Sequence, residues 1–206
     1  MPLGRIVPFL SLFAFAAIPS IARADVLLTP FVGANVGGSA SSPLFDLSGD
    51  ASRTNFGASV ALMSGGVLGL EADFGYTPRF FGTDVPIAGV PLTLARNKVT
   101  TAMANLTVGI PLQGPSGIGV RPYGVAGVGL IRQQVDVIGG LAAYTANDLG
   151  YDVGAGLMVF FGPHVGLRGD VRHFRSVGGG GLTDLLDLNP GVFNFTRTSI
   201  GVTFRY

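Results

Sequence analysis

Residues 55–77 read NFGASVALMSGGVLGLEADFGYT. On both sides of Ser64-Gly65-Gly66 the apolar residues fall at every second position. Phe56, Ala58, Val60 and Leu62 come before the turn, and Leu68, Leu70, Ala72, Phe74 and Tyr76 come after it. Successive side chains of a strand point to opposite faces, so a period of two marks a strand with one apolar face. Two such runs across a glycine turn predict an antiparallel hairpin over 55–63 and 67–77. The opposite face of the second run holds Gly69, Glu71, Asp73 and Gly75.

The same rhythm recurs along the chain and predicts further strands over 27–37, 99–110, 120–131, 149–161, 165–174 and 192–206. Leu28, Val32, Ala34 and Val36 share one face of the first. Ala102, Ala104, Leu106, Val108 and Ile110 share one face of the fourth, and Tyr151, Val153, Ala155, Leu157, Val159 and Phe161 one face of the sixth. The seventh puts Arg168, Asp170 and Arg172 together, and the eighth aligns Thr198, Ile200, Val202, Phe204 and Tyr206. The glycine-rich fifth run leaves its facing open. Residues 56–73 also align without a gap on 153–170, matching Gly57, Ala58, Gly65, Gly69, Leu70 and Asp73 with Gly154, Ala155, Gly162, Gly166, Leu167 and Asp170. A repeated hairpin favours regular β-structure over a mixed α/β fold.

Connections alternate in length. Those after the second, fourth and sixth runs are short, and 38–54, 78–97, 132–148 and 175–191 are long. Short turns at one end and long loops at the other are the pattern of an outer-membrane barrel. Composition agrees: mean hydropathy is +0.51 and charged residues are 12%, about half the usual share of a soluble domain. No apolar run after the first residues has helix-spanning length, so the hydropathy is dispersed along strands.

Arg5, the apolar stretch 6–18 (IVPFLSLFAFAAI), Pro19 and Ala22-Arg23-Ala24 read as a signal peptide cleaved between Ala24 and Asp25. Residues 1–24 are then the signal peptide and 25–206 the barrel domain. Removal of Arg5 and Arg23 leaves 11 basic against 12 acidic residues. No basic patch suited to nucleic acid remains. With no cysteine, the fold relies on its hydrogen-bond ladder and packing alone.

The segments LTPFVGANVGG, GVLGLEADFGYTPRF, VRPYGVAGVGLI, YDVGAGLMVFFGPHVGLRGDVRHFR and TSIGVTFRY resemble the small outer-membrane β-barrel domain family. That family includes the opacity-type and OmpA-like eight-stranded barrels. The resemblance spans 25–206 and implies an all-β fold, an eight-stranded antiparallel up-and-down transmembrane β-barrel behind a cleaved signal peptide. It also implies outer-membrane lipid and the barrel-assembly machinery as partners. The alternating, aromatic ending Ile200, Val202, Phe204, Tyr206 is similar to the family's assembly signal, although members often end in phenylalanine.

Glu71 and Asp73 on the third run and Arg168, Asp170 and Arg172 on the seventh share the face opposite the apolar one. A lumen network of ion pairs accounts for them better than acid/base catalysis, because isolated charges in a filled barrel would be costly. The two histidines, His164 and His173, are too far apart for local metal ligation, and neither cofactor nor metal is expected. His173 and Ser176 invite comparison with the barrel-shaped lipid A deacylases, but their spacing differs from that family's His-x-Ser-Asn run. The glycines of 124–129 fall within a strand rather than before a helix, which argues against a dinucleotide fold. The chain therefore reads as a structural or surface-interaction barrel with a filled lumen, meeting an extracellular ligand through 38–54, 78–97, 132–148 and 175–191. A narrow porin and a soluble calycin-like barrel are the alternatives. The cleavage site predicts a mature N-terminus at Asp25, to be read by intact mass of the exported protein; a membrane-inserted form retaining Met1 contradicts it.

Overall fold

A computed structural model describes residues 24–42, 45–48, 52–65, 67–80, 84–87, 90–113, 118–137, 143–177 and 193–206. The signal segment lies outside the described residues except for Ala24, which opens the first strand. The described elements are all strands. In chain order they are β1 (Ala24–Ser42), β2 (Phe45–Ser48), β3 (Arg53–Ser64), β4 (Leu68–Pro78), β5 (Asp84–Ile87), β6 (Val90–Gly109), β7 (Leu112–Gln113), β8 (Gly119–Val137), β9 (Ala143–Phe160), β10 (Val165–Ser176) and β11 (Asn194–Arg205).

Eight of them close a wall in the order β1, β3, β4, β6, β8, β9, β10, β11, each pair antiparallel, with β11 returning to β1. The seam carries its own bonds: Val26 N–H donates to the Tyr206 carbonyl at 3.1 Å, and Tyr206 N–H donates to the Val26 carbonyl at 3.0 Å. Closure leaves the wall no unpaired edge. The register also sets the tilt. From Val32 it runs through Phe56, Tyr76, Thr100 and Arg132 to Asn147; in the other direction it runs through Ile200 and Gly169 to Leu157 on the same strand. An offset of this size in an eight-stranded wall inclines the strands by about 40° and leaves an interior about as wide as side chains can fill.

The two faces divide as the alternation demands. Leu28, Val32, Phe56, Leu70, Phe74, Leu106, Leu157 and Ile200 are exposed on the outside. Leu27, Met63, Tyr123, Val125, Met158 and Phe160 are buried inside. The fifth predicted strand now has a facing: Arg121, Tyr123, Val125 and Ile131 point inward, while Val128 and Leu130 point outward. Aromatic residues border the outer apolar band, with Phe161 and Tyr206 toward the short turns and Phe56, Tyr76 and Tyr151 toward the opposite end.

Inward glycines make room for large inward side chains. A Cβ on Gly75 would sit 2.8 Å from Arg197 Nη1, and one on Gly154 would sit 2.9 Å from Arg172 Cγ. In the β3–β4 turn Gly65 takes a φ of 57°, a value that costs glycine nothing.

The long connections need correction, because strand occupies much of what the sequence reads as loop. β1 reaches Ser42 and pairs with β2 inside 38–54, and β5 pairs with the start of β6 inside 78–97. Within 132–148, β8 and β9 stay paired as far as Asp136↔Ala143, so only 138–142 lie between them. Beyond the apolar band both faces of a hairpin can meet water. The ladder therefore continues through Gln133, Gln134 and Asn147 after the apolar alternation has ended. Of 175–191, residues 178–191 lie outside the described residues, as does Val192 at the start of the predicted last strand.

Candidate functional site: the barrel interior

The inward face of β4 places Glu71 and Asp73 two residues apart, and the inward face of β10 places Arg168, Asp170 and Arg172 in the same way. Half the wall separates these strands, so their side chains meet across the axis. Glu71 is the centre. Its Oε2 lies 2.6 Å from Arg168 Nη1 and its Oε1 lies 2.8 Å from Arg172 Nη1. Asn105 Nδ2 donates to the same Oε1 at 3.2 Å. Asp170 holds the two arginines from their own strand, accepting from Arg168 Nε at 3.1 Å and Arg172 Nε at 3.2 Å. It also accepts from the Tyr123 hydroxyl at 3.0 Å and the Ser199 hydroxyl at 3.0 Å.

Two further charges enter that the sequence analysis passed over. Arg197 on β11 donates from Nη2 to both Asp73 oxygens, at 2.9 and 2.8 Å. Its guanidinium lies over the rings of both Phe31 and Phe174, 4.6 and 4.9 Å from their centroids, an arrangement that favours a desolvated cation. Asp152 on β9 lies 3.6 Å from Arg172 Nη1. Both positions carry a legible signal, since Arg197 alternates with Thr198 and Asp152 lies between the outward Tyr151 and Val153. Arg168 also donates to Ser59 at 3.1 Å and stacks over Tyr123. With Phe31 counted, every wall strand supplies a side chain to the assembly.

Two further layers flank the network, and the buried Arg121 joins the one nearer the short turns, donating to Met63 Sδ at 3.4 Å and pairing with Asp25 at 3.4 Å. Toward the short turns lies the apolar cluster of Leu27, Ala61, Met63, Val125, Met158 and Phe160. Toward the opposite end Phe80, Phe174, Phe193 and Phe195 pack together, with Phe174 and Phe195 stacked at 4.8 Å and Phe80 edge-on to Phe193 and Phe195 at 5.3 Å. Outside the apolar cluster a half-open cleft of about 330 Å³ lies between the β6–β8 connection and the β9–β10 turn. Its arginines, Arg121 and Arg205, both face the Phe160 ring.

The remaining candidates stay apart. His173 is exposed on the outer face, its Nδ1 3.2 Å from Thr196 Oγ1, whereas Ser176 is buried and its hydroxyl accepts from Phe193 N–H at 2.9 Å. The two therefore lie on opposite faces of β10 and form no dyad. His164 sits in the β9–β10 turn. Among the described residues no group of histidines and carboxylates is arranged to hold a metal. Ile200 and Val202 are exposed on the outer face of β11, Phe204 is half-buried and Tyr206 is 76% exposed at the strand's end.

Removing one partner of a buried pair leaves the other charge uncompensated. Arg197→Met is therefore expected to lower stability by about 3–5 kcal/mol. Adding Asp73→Asn should recover part of that loss, with a coupling of about 0.5–3 kcal/mol in a double-mutant cycle. Urea unfolding of the folded barrel in lipid vesicles measures both; strictly additive effects would show that the pair does not act as a unit.

Comparison with known proteins agrees with the fold. The model of the outer membrane protein beta-barrel domain matches residues 9–205. Among solved structures the chain is similar to Neisserial surface protein A (19% identity, 88% of this chain and 97% of that one, TM-score 0.59). It is also similar to the outer membrane protein OprG of Pseudomonas aeruginosa (15% identity, 89% and 96%, TM-score 0.61). A third is Ail, the attachment invasion locus protein of Yersinia pestis, in complex with the heparin analogue sucrose octasulfate (15% identity, 89% and 99%, TM-score 0.51). No curated protein matches the sequence significantly. The chain belongs to the outer-membrane protein β-barrel domain family.

Proposed function

We propose that the chain is exported by a cleaved signal peptide and inserted into the bacterial outer membrane as an up-and-down barrel. Its short turns then face the periplasm and its long hairpins the cell exterior. There it acts as a surface-interaction protein whose lumen carries no traffic. The observation that carries this reading is the interior itself, in which an ion-pair network lies between an apolar cluster and an aromatic cap. A pore for ions would need a continuous wet path through those layers, and a calycin-like binder would need an apolar cavity.

The hairpins beyond the apolar band support contact with an extracellular ligand through 38–54, 78–97, 132–148 and 175–191. β8 and β9 remain paired for several residues past Leu130↔Leu149, which gives that hairpin a rigid stem. Among the similar structures, one is named a surface protein and another an attachment protein, and both names fit such a role. The same reading makes outer-membrane lipid a partner through the apolar outer face. Ile200, Val202, Phe204 and Tyr206 would be recognised by the barrel-assembly machinery before β11 zips against β1. The polar residues inside are then structural, and catalysis has no part in the proposed role.

Planar-bilayer recording of the refolded protein tests the closed lumen. The expected result is little or no steady conductance. Large, stable single-channel currents would instead establish the narrow porin.

A further inference from the structure

Alternation along β4 should send Thr77 inward, Pro78 outward and Arg79 inward again. The chain breaks that sequence at Arg79, whose φ of 53° is the one left-handed value at a non-glycine residue among the described residues. Few side chains adopt that conformation without a reason. The kink exposes Arg79 and turns Phe80 inward, where it is buried in the aromatic cap. Arg79 then stands beside β6, its N–H donating to the Asn97 carbonyl at 2.7 Å.

The next residue of β6, Lys98, is exposed on the outer face opposite Pro78. Around the wall, Thr100 pairs with Arg132 and Lys98 with Gln134, so the exposed Arg132 is diagonal to Lys98. Adjacent strands are about 4.8 Å apart and diagonal neighbours about 7–8 Å. The three cations therefore form a short arc on consecutive strands β4, β6 and β8. Toward the short turns the outer face continues with Tyr76 on β4, Thr100 and then Ala102 on β6, and Leu130 on β8. From the arc down to the short turns, the outer face of the described wall carries no carboxylate. The nearest acidic residue in the ladder, Asp148, pairs with the inward Ile131 and accepts from Gln133 Nε2 at 3.1 Å, so it belongs to the inner face. No ion pair joins any of the three cations to another described residue.

Carboxylates are thus kept inside the wall, while unpaired cations collect outside it at the edge of the apolar band. Long basic side chains at such an edge lay their stems on apolar surface and hold their charge at headgroup depth. We propose that Arg79, Lys98 and Arg132 form a binding site for phosphate groups of lipid headgroups in the extracellular leaflet. The lipid chains would lie along the apolar face beneath. Guanidinium forks suit phosphate oxygens, and the left-handed Arg79 aims a third cation that regular strand geometry would bury. The inference depends on the membrane placement of the family and not on what the loops or the lumen do.

The test compares wild type with Arg79→Gln/Lys98→Gln/Arg132→Gln, both in phosphatidylcholine vesicles containing bisphosphorylated lipid A. Retained lipid A per barrel is counted by native mass spectrometry after gentle detergent extraction. Heat-modifiable gel mobility first confirms that both proteins are folded. Wild type is expected to retain about tenfold more lipid A than the variant, a difference of about 1.4 kcal/mol. Enzymatic dephosphorylation of the lipid should abolish the difference. Arg79→Gly keeps the left-handed backbone without a side chain, so it should fold normally and lose part of the retention. Equal retention by wild type and triple variant, or indifference to dephosphorylation, overturns the site. Wild-type-like retention by Arg79→Gly removes Arg79 from it. Full displacement by millimolar inorganic phosphate would assign the site to free phosphate and overturn the lipid assignment.

Discussion

At mid-barrel the guanidinium groups of Arg168, Arg172 and Arg197 meet the carboxylates of Glu71, Asp73, Asp152 and Asp170, and their mutual pairing is the condition on which the barrel's interior depends. Inside a hydrogen-bonded cylinder there is little water to solvate a stray charge, so each must find an opposite one or a hydrogen-bond partner. Glu71 reaches Arg168 and Arg172 across the axis, Asp73 reaches Arg197, and Asp170 clamps Arg168 and Arg172 along their own strand. A single pair would tie two strands together. This assembly ties opposite sides of the wall, so a slip of one residue in any register would move a charge from the interior to the lipid face.

The rest of the wall is consistent with that condition. Tilt and closure set an interior of fixed width, and arginine side chains exceed what a uniform lining would admit. Gly75 and Gly154 supply the missing room next to Arg197 and Arg172. Aromatic rings do a related task, since Arg197 lies over both Phe31 and Phe174 and Arg168 lies over Tyr123. Each ring lies against a cation that is buried away from water. Outside, the constraint is inverted: the wall meets lipid through Leu, Val, Ile and Phe, and its charge is held to the loop-end margin.

Much of this was legible in the sequence because a period of two is unambiguous wherever one face is apolar. The hairpin at 55–77 shows it, and so do Arg168, Asp170 and Arg172 on one face of their strand. The β8 segment was harder to read, since Gly124, Gly127 and Gly129 carry no side chain to mark a face. Arg197 and Asp152 were readable from their neighbours, but each stands alone on its strand and lacks the repeated charge that drew notice to Glu71 and Asp73. The extended hairpins escape a period-two reading because beyond the apolar band the ladder no longer needs an apolar side. No alternation rule announces the reversal at Arg79 and Phe80, which arises from one left-handed residue where β4 ends.

The claim that the interior is filled and dry can be tested at Ser59, a buried residue whose hydroxyl accepts from Arg168 Nη1 at 3.1 Å. The protein contains no cysteine, so Ser59→Cys introduces a single thiol of nearly the same shape at mid-wall. The measurement is the rate at which a small, water-soluble maleimide modifies that thiol in the folded barrel in vesicles, relative to the urea-unfolded chain. The account predicts protection from both sides of the membrane, with labelling only after unfolding. Rapid modification of the folded protein from either side would mean that water reaches the network, and the filled-lumen account would be wrong.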